Sequence, residues 1–189
     1  SNPSFSFDKV MQRVHQVIAD IEPHDSVERY TLLGVEVIQG YAKIKDPWTV
    51  EIQKPDGSSQ RLNSTAIIIA AGAAPFVPSL PGLEEVGYLT SDTLWEKLQG
   101  REEAPQRLVV LGGGPIGTEL TQAFARLGST VTQIEMAPRI MLREDPEVSE
   151  MVQKSLEWDG VTVLTNHKAM GCGLTNGEKW IEVEESGEA

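Results

Sequence analysis

Apolar residues recur along this chain with two periods, and the switch from one to the other marks out its elements. From Asp8 to Ile21 they repeat every three or four residues, placing Val10, Val14, Val17, Ile18 and Ile21 on one face of a predicted amphipathic helix with charged residues opposite. After Pro23, Asp25-Ser26-Val27-Glu28 supplies a capping box for a second helix that ends at Gly34. The period then shortens to two. Val35 to Ile38 predicts a strand, which leads through Gly40-Tyr41-Ala42 to Trp48–Ile52 and, past the Pro55-Asp56-Gly57 turn, to a further strand of a β-meander. Thr65 to Ala71 is apolar on both alternating faces, as in a strand covered on both sides, and ends at Gly72 before the proline-rich crossing segment Pro75 to Gly82. Ser91 to Leu98 predicts a short helix, and the polar run Gln99 to Gln106 a linker.

From Leu108 the order becomes β-α-β-α-β. The apolar run Leu108 to Leu111 predicts a buried strand. A helix follows with Ile116, Leu120, Ala123, Phe124 and Leu127 inward, stopped by Gly128, and then the β-branched run Thr130 to Ile134. Asp145-Pro146 opens a third long helix with Val148, Met151, Val152 and Leu156 inward, closed by Gly160 before the strand Val161 to Leu164. Two more strands, around Ala169 and over Trp180 to Val183, are joined by a hairpin turn at Thr175-Asn176-Gly177.

The junction of the first strand and helix of this unit carries the chemistry. Gly112, Gly114 and Gly117 have the G-x-G-x-x-G spacing: the first glycine permits a tight turn, the second makes room for a pyrophosphate, and the third lets helix and strand approach. Pro115 fits the first helical turn, where its missing N–H leaves no helix bond unmade and the remaining donors face a ligand. Glu135 ends the second strand, 18 residues after Gly117, where a carboxylate can accept both hydroxyls of an adenosine ribose. Strand, glycines, helix and acid together predict dinucleotide binding. The other phosphate loop, G-x-x-x-x-G-K-[ST], is excluded because no lysine follows Gly117.

Composition narrows the remaining classes. The chain has 189 residues, enough for one or two domains, and 40% apolar content, enough for a core. Its net charge of −12, with Lys and Arg scattered, argues against nucleic acid and against an anionic membrane surface as partners. The longest apolar run is strand-sized. A single cysteine, Cys172, forbids an internal disulfide and suits a reducing, cytoplasmic setting; flanked by glycines and without a partner thiol, it reads as a small buried apolar residue. His15, His24 and His167 share no metal-ligand spacing, and Trp48, Trp95, Trp158 and Trp180 read as packing residues. The Glu-rich end, Glu178, Glu182, Glu184, Glu185 and Glu188, reads as a solvated face. The start at Ser1-Asn2, without methionine, suggests a piece of something larger.

Thr65 to Gly82, Leu108 to Glu119 and Val131 to Arg143 together resemble the flavin-dependent pyridine nucleotide-disulfide oxidoreductases, the group that includes mercuric reductase and dihydrolipoamide dehydrogenase. The resemblance implies an α/β, Rossmann-like dinucleotide-binding fold with a β-meander, truncated at both ends: residues 1–98 a partial FAD-binding domain, residues 107–189 an NAD(P)-binding domain. It implies FAD and NAD as cofactors, with NADP disfavoured by Glu135. Residue by residue, it assigns the NAD turn to Gly112, Gly113, Gly114, Pro115, Ile116 and Gly117, places Glu119 close to the nicotinamide, and gives Ala169 a backbone contact to the NAD adenine. Ala42 and the Ala70-Ala71-Gly72 segment take secondary contacts to FAD. Ala71 stands where the family usually has threonine, and Pro115 where some relatives carry a gating aromatic, so gating by that device is not expected. The implied reaction passes a hydride from NAD(P)H to FAD and then electrons to a disulfide or metal-ion acceptor. The redox disulfide and the proton-transfer pair would lie outside the chain, as would the domain through which the intact protein is a homodimer, so this polypeptide alone is expected to be inactive. A non-catalytic nucleotide-binding or sensor module on the same fold remains the second reading.

Overall fold

The computed structural model describes residues 5–186, which divide into two compact units: residues 15–74, and residues 75–186 together with residues 5–14. Ser1-Asn2 and Glu188 lie outside the described residues.

The first unit is organised by a meander. Helix α1 (Phe7–Ile21) enters it, and after a 3-10 turn at Glu22–Asp25 comes α2 (Val27–Leu32). Ser26 is the N-cap, accepting the N–H of Arg29 on its hydroxyl, and Gly34 closes the helix at φ +86°. No glutamate stands at the third helical position, so the cap is one-sided. Strands β1 (Tyr41–Asp46), β2 (Thr49–Gln53) and β3 (Ser59–Asn63) form an antiparallel sheet in that order. Glu51 in β2 is bracketed by Arg61 at 2.9 Å and Lys45 at 3.4 Å, and the hydrogen bonds from these cations hold its carboxyl below the usual range.

Two expected strands are absent. Val35 to Ile38 has no ladder, and Thr65 to Ala71 is irregular, with Ile68 91% and Ile69 75% exposed. The cause is pairing. A strand requires neighbours to take its N–H and C=O groups, and the three sheets among the described residues contain none beside either segment.

The second unit holds the Rossmann-like α/β layer. After two single turns, α3 (Leu83–Val86) and α4 (Leu94–Lys97), strand β4 (Arg107–Leu111) pairs in parallel with β5 (Thr130–Ile134), and β5 with β6 (Thr162–Leu164). Helices α5 (Pro115–Arg126) and α6 (Pro146–Trp158) are the crossovers. Strands β7 (His167–Thr175) and β8 (Glu178–Glu185) form a hairpin whose turn, Asn176 at φ +53° and Gly177 at φ +80°, has the left-handed pair expected from the sequence. The glutamates of β8 face solvent, with Glu178 paired to Arg107 at 3.1 Å.

Phe7, Met11, Leu94, Leu98, Phe124, Val131, Ile140, Leu156 and Val161 make the core. Phe7 and Met11 anchor the start of α1, with the Phe7 ring 6.3 Å from that of Phe124; Ile18 and Ile21 on the expected apolar face are exposed. On α5 the buried positions are Thr118, Thr121 and Phe124, while Ile116 and Ala123 face outward, so its inner face is rotated from the apolar stripe. On α6 Leu156 is buried, but Val148 and Met151 are exposed. Trp95 packs on the core, whereas Trp158, at the end of α6, is 92% exposed and Trp48 also faces solvent.

The crossing segment docks on β7. Pro81 accepts the Cys172 N–H at 2.9 Å and its thiol at 3.5 Å, and a Cβ built on Gly82 would overlap the Cys172 carbonyl oxygen. Gly82 also sits at φ +81°. We therefore expect Gly82→Ala to lower stability by about 2–4 kcal/mol, from left-handed strain plus overlap, read as a reduced urea midpoint; an unchanged midpoint would show that this docking contributes nothing.

Glu51 has a folded pKa below its ordinary 4.5. Its contribution is therefore present above that ordinary value and is lost as pH falls through the lowered folded one. NMR titration should give Glu51 a midpoint below that of a free glutamate, and Arg61→Ala should move it back up.

Candidate dinucleotide-binding turn

The turn after β4 is built from backbone groups whose hydrogen-bond partners lie in its own unit. Gly112, at φ +106°, bends the chain out of the strand while its N–H still donates to the Ile134 carbonyl at 2.8 Å. Gly113 is buried, and both of its backbone polar groups are taken: the N–H donates to Glu135 Oε2 at 2.6 Å, and the carbonyl accepts from the Met141 N–H at 2.6 Å. A Cβ there would stand 2.8 Å from Ile140 Cγ2 and 3.0 Å from the Glu135 side chain. Gly114 differs on every count. It is exposed, has an ordinary φ of −73°, and a Cβ on it would meet nothing within 4 Å. Gly117 faces back to the turn, where a Cβ would lie 2.6 Å from the Gly112 carbonyl oxygen.

These four glycines divide the work that the spacing assigned to three. Gly112 turns, Gly117 admits the helix, Gly114 leaves open space in front of the backbone, and Gly113, an unspecified position of the pattern, is the one packed against protein. Pro115 is the first helical residue, and the first helical bond inside the turn runs from the Thr118 N–H to the Gly114 carbonyl at 3.0 Å. The N–H groups of Ile116 and Gly117 precede it and have no intrahelical acceptor. An anion in front of Gly114 would meet them and the positive end of the α5 dipole.

Glu135 lies at the end of β5, as expected, and is half-buried. Its Oε1 accepts from the Ala137 N–H at 2.7 Å and its Oε2 from Gly113. A carboxylate offers about four acceptor positions, so two remain for hydroxyl donors. The segment beyond it is fastened in turn: Ser149 Oγ donates to the Ile140 carbonyl at 2.6 Å, and Arg139 donates to the carbonyls of Leu142 at 2.9 Å and Glu144 at 3.3 Å. Arg143 is exposed.

Glu119 is exposed in the second turn of α5, and Ala169 is half-buried in β7, paired with Val183. Ala42, in β1, and Ala70, Ala71 and Gly72, in the irregular segment after β3, belong to the other unit; all four are exposed. Sequence reasoning missed Met141, held at φ +50°, and Gln133. A signal for the second existed: an amide interrupts the β-branched run Thr130 to Ile134, whose other members suit a covered strand.

The family model described as pyridine nucleotide-disulphide oxidoreductase matches residues 6–185. Mercuric reductase from Staphylococcus aureus is 38% identical over 141 residues, covering 75% of this chain and 24% of its own length. Dihydrolipoyl dehydrogenase from Chlorobaculum tepidum is 39% identical over 132 residues, covering 69% of the chain and 27% of its own length. The chain thus spans about a quarter of these relatives. Among solved structures, a Cu(II) complex of a mutant form of the HOCl-induced flavoprotein disulfide reductase RclA from Escherichia coli superposes with a TM-score of 0.78 at 25% identity, over 95% of this chain and 40% of that one.

Three alanine substitutions separate the roles of the glycines. Gly113→Ala and Gly117→Ala should each cost about 1–3 kcal/mol in chemical denaturation because each Cβ meets fixed atoms, whereas Gly114→Ala should stay within roughly 0.5 kcal/mol of the parent. Equal losses at all three would remove the assignment of open space to Gly114.

Proposed function

Because the chain belongs to the pyridine nucleotide-disulphide oxidoreductase family, we propose that it forms the FAD- and NAD-binding part of an oxidoreductase whose intact form passes a hydride from NAD(P)H to FAD and electrons onward to a disulfide or metal-ion acceptor. The observation that carries this reading is the contrast at the turn, where Gly113 is sealed into protein and Gly114 is open. A dinucleotide pyrophosphate fits that opening, with the N–H groups of Gly114, Ile116 and Gly117 as its donors. Pro115 adds no donor but fixes the helix start that aims them.

Glu135 holds the adenosine ribose through its two remaining acceptor positions, and its bonds to Gly113 and Ala137 keep the carboxylate in place before any ligand arrives. Ala169 offers main chain to the adenine, and Glu119 lies toward the nicotinamide end of the helix. Ala42, Ala70, Ala71 and Gly72, being short and exposed, let main chain reach the FAD nucleotide as secondary contacts. When bound, the nicotinamide supplies the hydride and the flavin receives it, while the protein's share is position and electrostatics.

Glu135 also selects between the two nicotinamide dinucleotides. A 2′-phosphate would meet the carboxylate at close range, and the nearest cation in sequence, Arg139, is already committed to the carbonyls of Leu142 and Glu144. Calorimetric titration of the intact protein should show NADH bound more tightly than NADPH by about tenfold or more, and Glu135→Ala should narrow the gap. Equal or tighter NADPH binding by the parent protein would refute the selection.

A further inference from the structure

Gln133 is fully buried in β5, between the sheet and α5, on the same face of the strand as the core residue Val131. Its amide nitrogen donates twice, to the Gly112 carbonyl at 3.0 Å and to Thr118 Oγ1 at 3.1 Å. The Thr118 hydroxyl, also buried, donates onward to the Gly113 carbonyl at 3.4 Å. One amide therefore ties the first glycine of the turn, directly, and the second, through one hydroxyl, to the strand beneath them.

The arrangement has a visible cost. Gln133 Oε1 and Thr121 Oγ1, on the same helix–strand interface, are buried with no hydrogen-bond partner. An apolar residue of the same size would leave no such orphan, so packing alone does not account for an amide here. The requirement lies in the turn. At φ +106° Gly112 bends the chain out of the strand, and although the residue itself is exposed, its carbonyl oxygen is taken by the buried Gln133 amide.

We propose that Gln133 is a positioning residue for dinucleotide binding: by donating to Gly112 and, through Thr118, to Gly113, it fixes the orientation of the peptides that lead into Gly114 and so the direction in which the N–H donors of the turn point. It touches no ligand and acts through the backbone of the turn. The inference rests on the reading of Gly112 to Gly117 as the pyrophosphate turn. It adds that the affinity of this turn is set partly by a side chain 20 residues beyond Gly113 in sequence.

The test uses the intact protein and three probes: NADH, ADP-ribose and adenosine, the last lacking phosphate. Gln133→Leu keeps the volume and removes both donors. It should weaken NADH and ADP-ribose roughly tenfold, leave adenosine binding within about twofold, and keep the melting temperature close to the parent's, because losing the donor to Gly112 opposes the gain from removing the unpaired oxygen. Thr118→Val removes only the relay and should lose roughly threefold for the same two phosphate-bearing ligands; it also carries the test if Gln133→Leu fails to fold. Gly114→Val serves as the reference. If Gly114→Val abolishes NADH binding while Gln133→Leu and Thr118→Val both bind NADH as the parent does, the positioning role is overturned and the turn assignment survives. If Gly114→Val binds NADH normally, the turn assignment itself fails and the inference falls with it. Loss of adenosine in step with NADH would assign Gln133 to the general integrity of the unit and would also overturn the proposal.

Discussion

Gly113 gives both of its backbone polar groups to the segment that follows β5, its N–H to the Glu135 carboxylate and its carbonyl to the Met141 N–H, and no side chain fits there without displacing Ile140 or Glu135. This one residue joins the two halves of the β-α-β unit at the end where a ligand would sit. With it held, Gly112 can bend the chain at positive φ, α5 can start at Pro115, and Gly114 is left facing open space. Unpaired, the same buried peptide groups would each cost about 1–3 kcal/mol. The turn and the acid are thus one construction, and the Glu135 carboxylate is held in place by the fold itself.

The supports of this residue come from both sides. Beneath it, Gln133 and Thr118 take the carbonyls of Gly112 and Gly113; beyond it, Ser149 at the start of α6 fixes the Ile140 carbonyl, next to Met141. Each is a polar side chain buried in an otherwise apolar layer. The α5–β5 interface consequently carries Thr118, Thr121 and Gln133 where a purely apolar packing would have been simpler, and two of their oxygens remain unpaired. Sites that must present backbone donors in a fixed direction commonly draw on such buried polar groups, because only hydrogen bonds, and not apolar contacts, orient a peptide plane.

Much of this was legible along the chain. The β-α-β-α-β order, the glycine turn, Pro115 at the helix start, Glu135 at the strand end and the Asn176-Gly177 hairpin all lie where local pattern places them. Each depends on neighbours within a few residues: φ-permissive glycines, helix-start chemistry, or alternation along one strand. The misplaced elements share the opposite property. Val35 to Ile38 and Thr65 to Ala71 have the composition of strands but no partner strands in the described sheets, and the inner faces of α5 and α6 are rotated from their apolar stripes.

The sequence by itself determined where the chain turns, where its main helices and hairpin lie, and where the glycine turn and the acid after β5 fall, because backbone sterics and capping act over short range. Only the tertiary structure decided that Gly113, rather than Gly114, is the glycine sealed by protein, that Glu135 and Met141 hold it, and that Ile68 and Ile69 are exposed rather than sheeted. These outcomes depend on which distant segments arrive to supply hydrogen-bond partners and contact atoms. That supply is a property of packing between segments 20 or more residues apart, as with Gly113 and Glu135, and no local pattern encodes it.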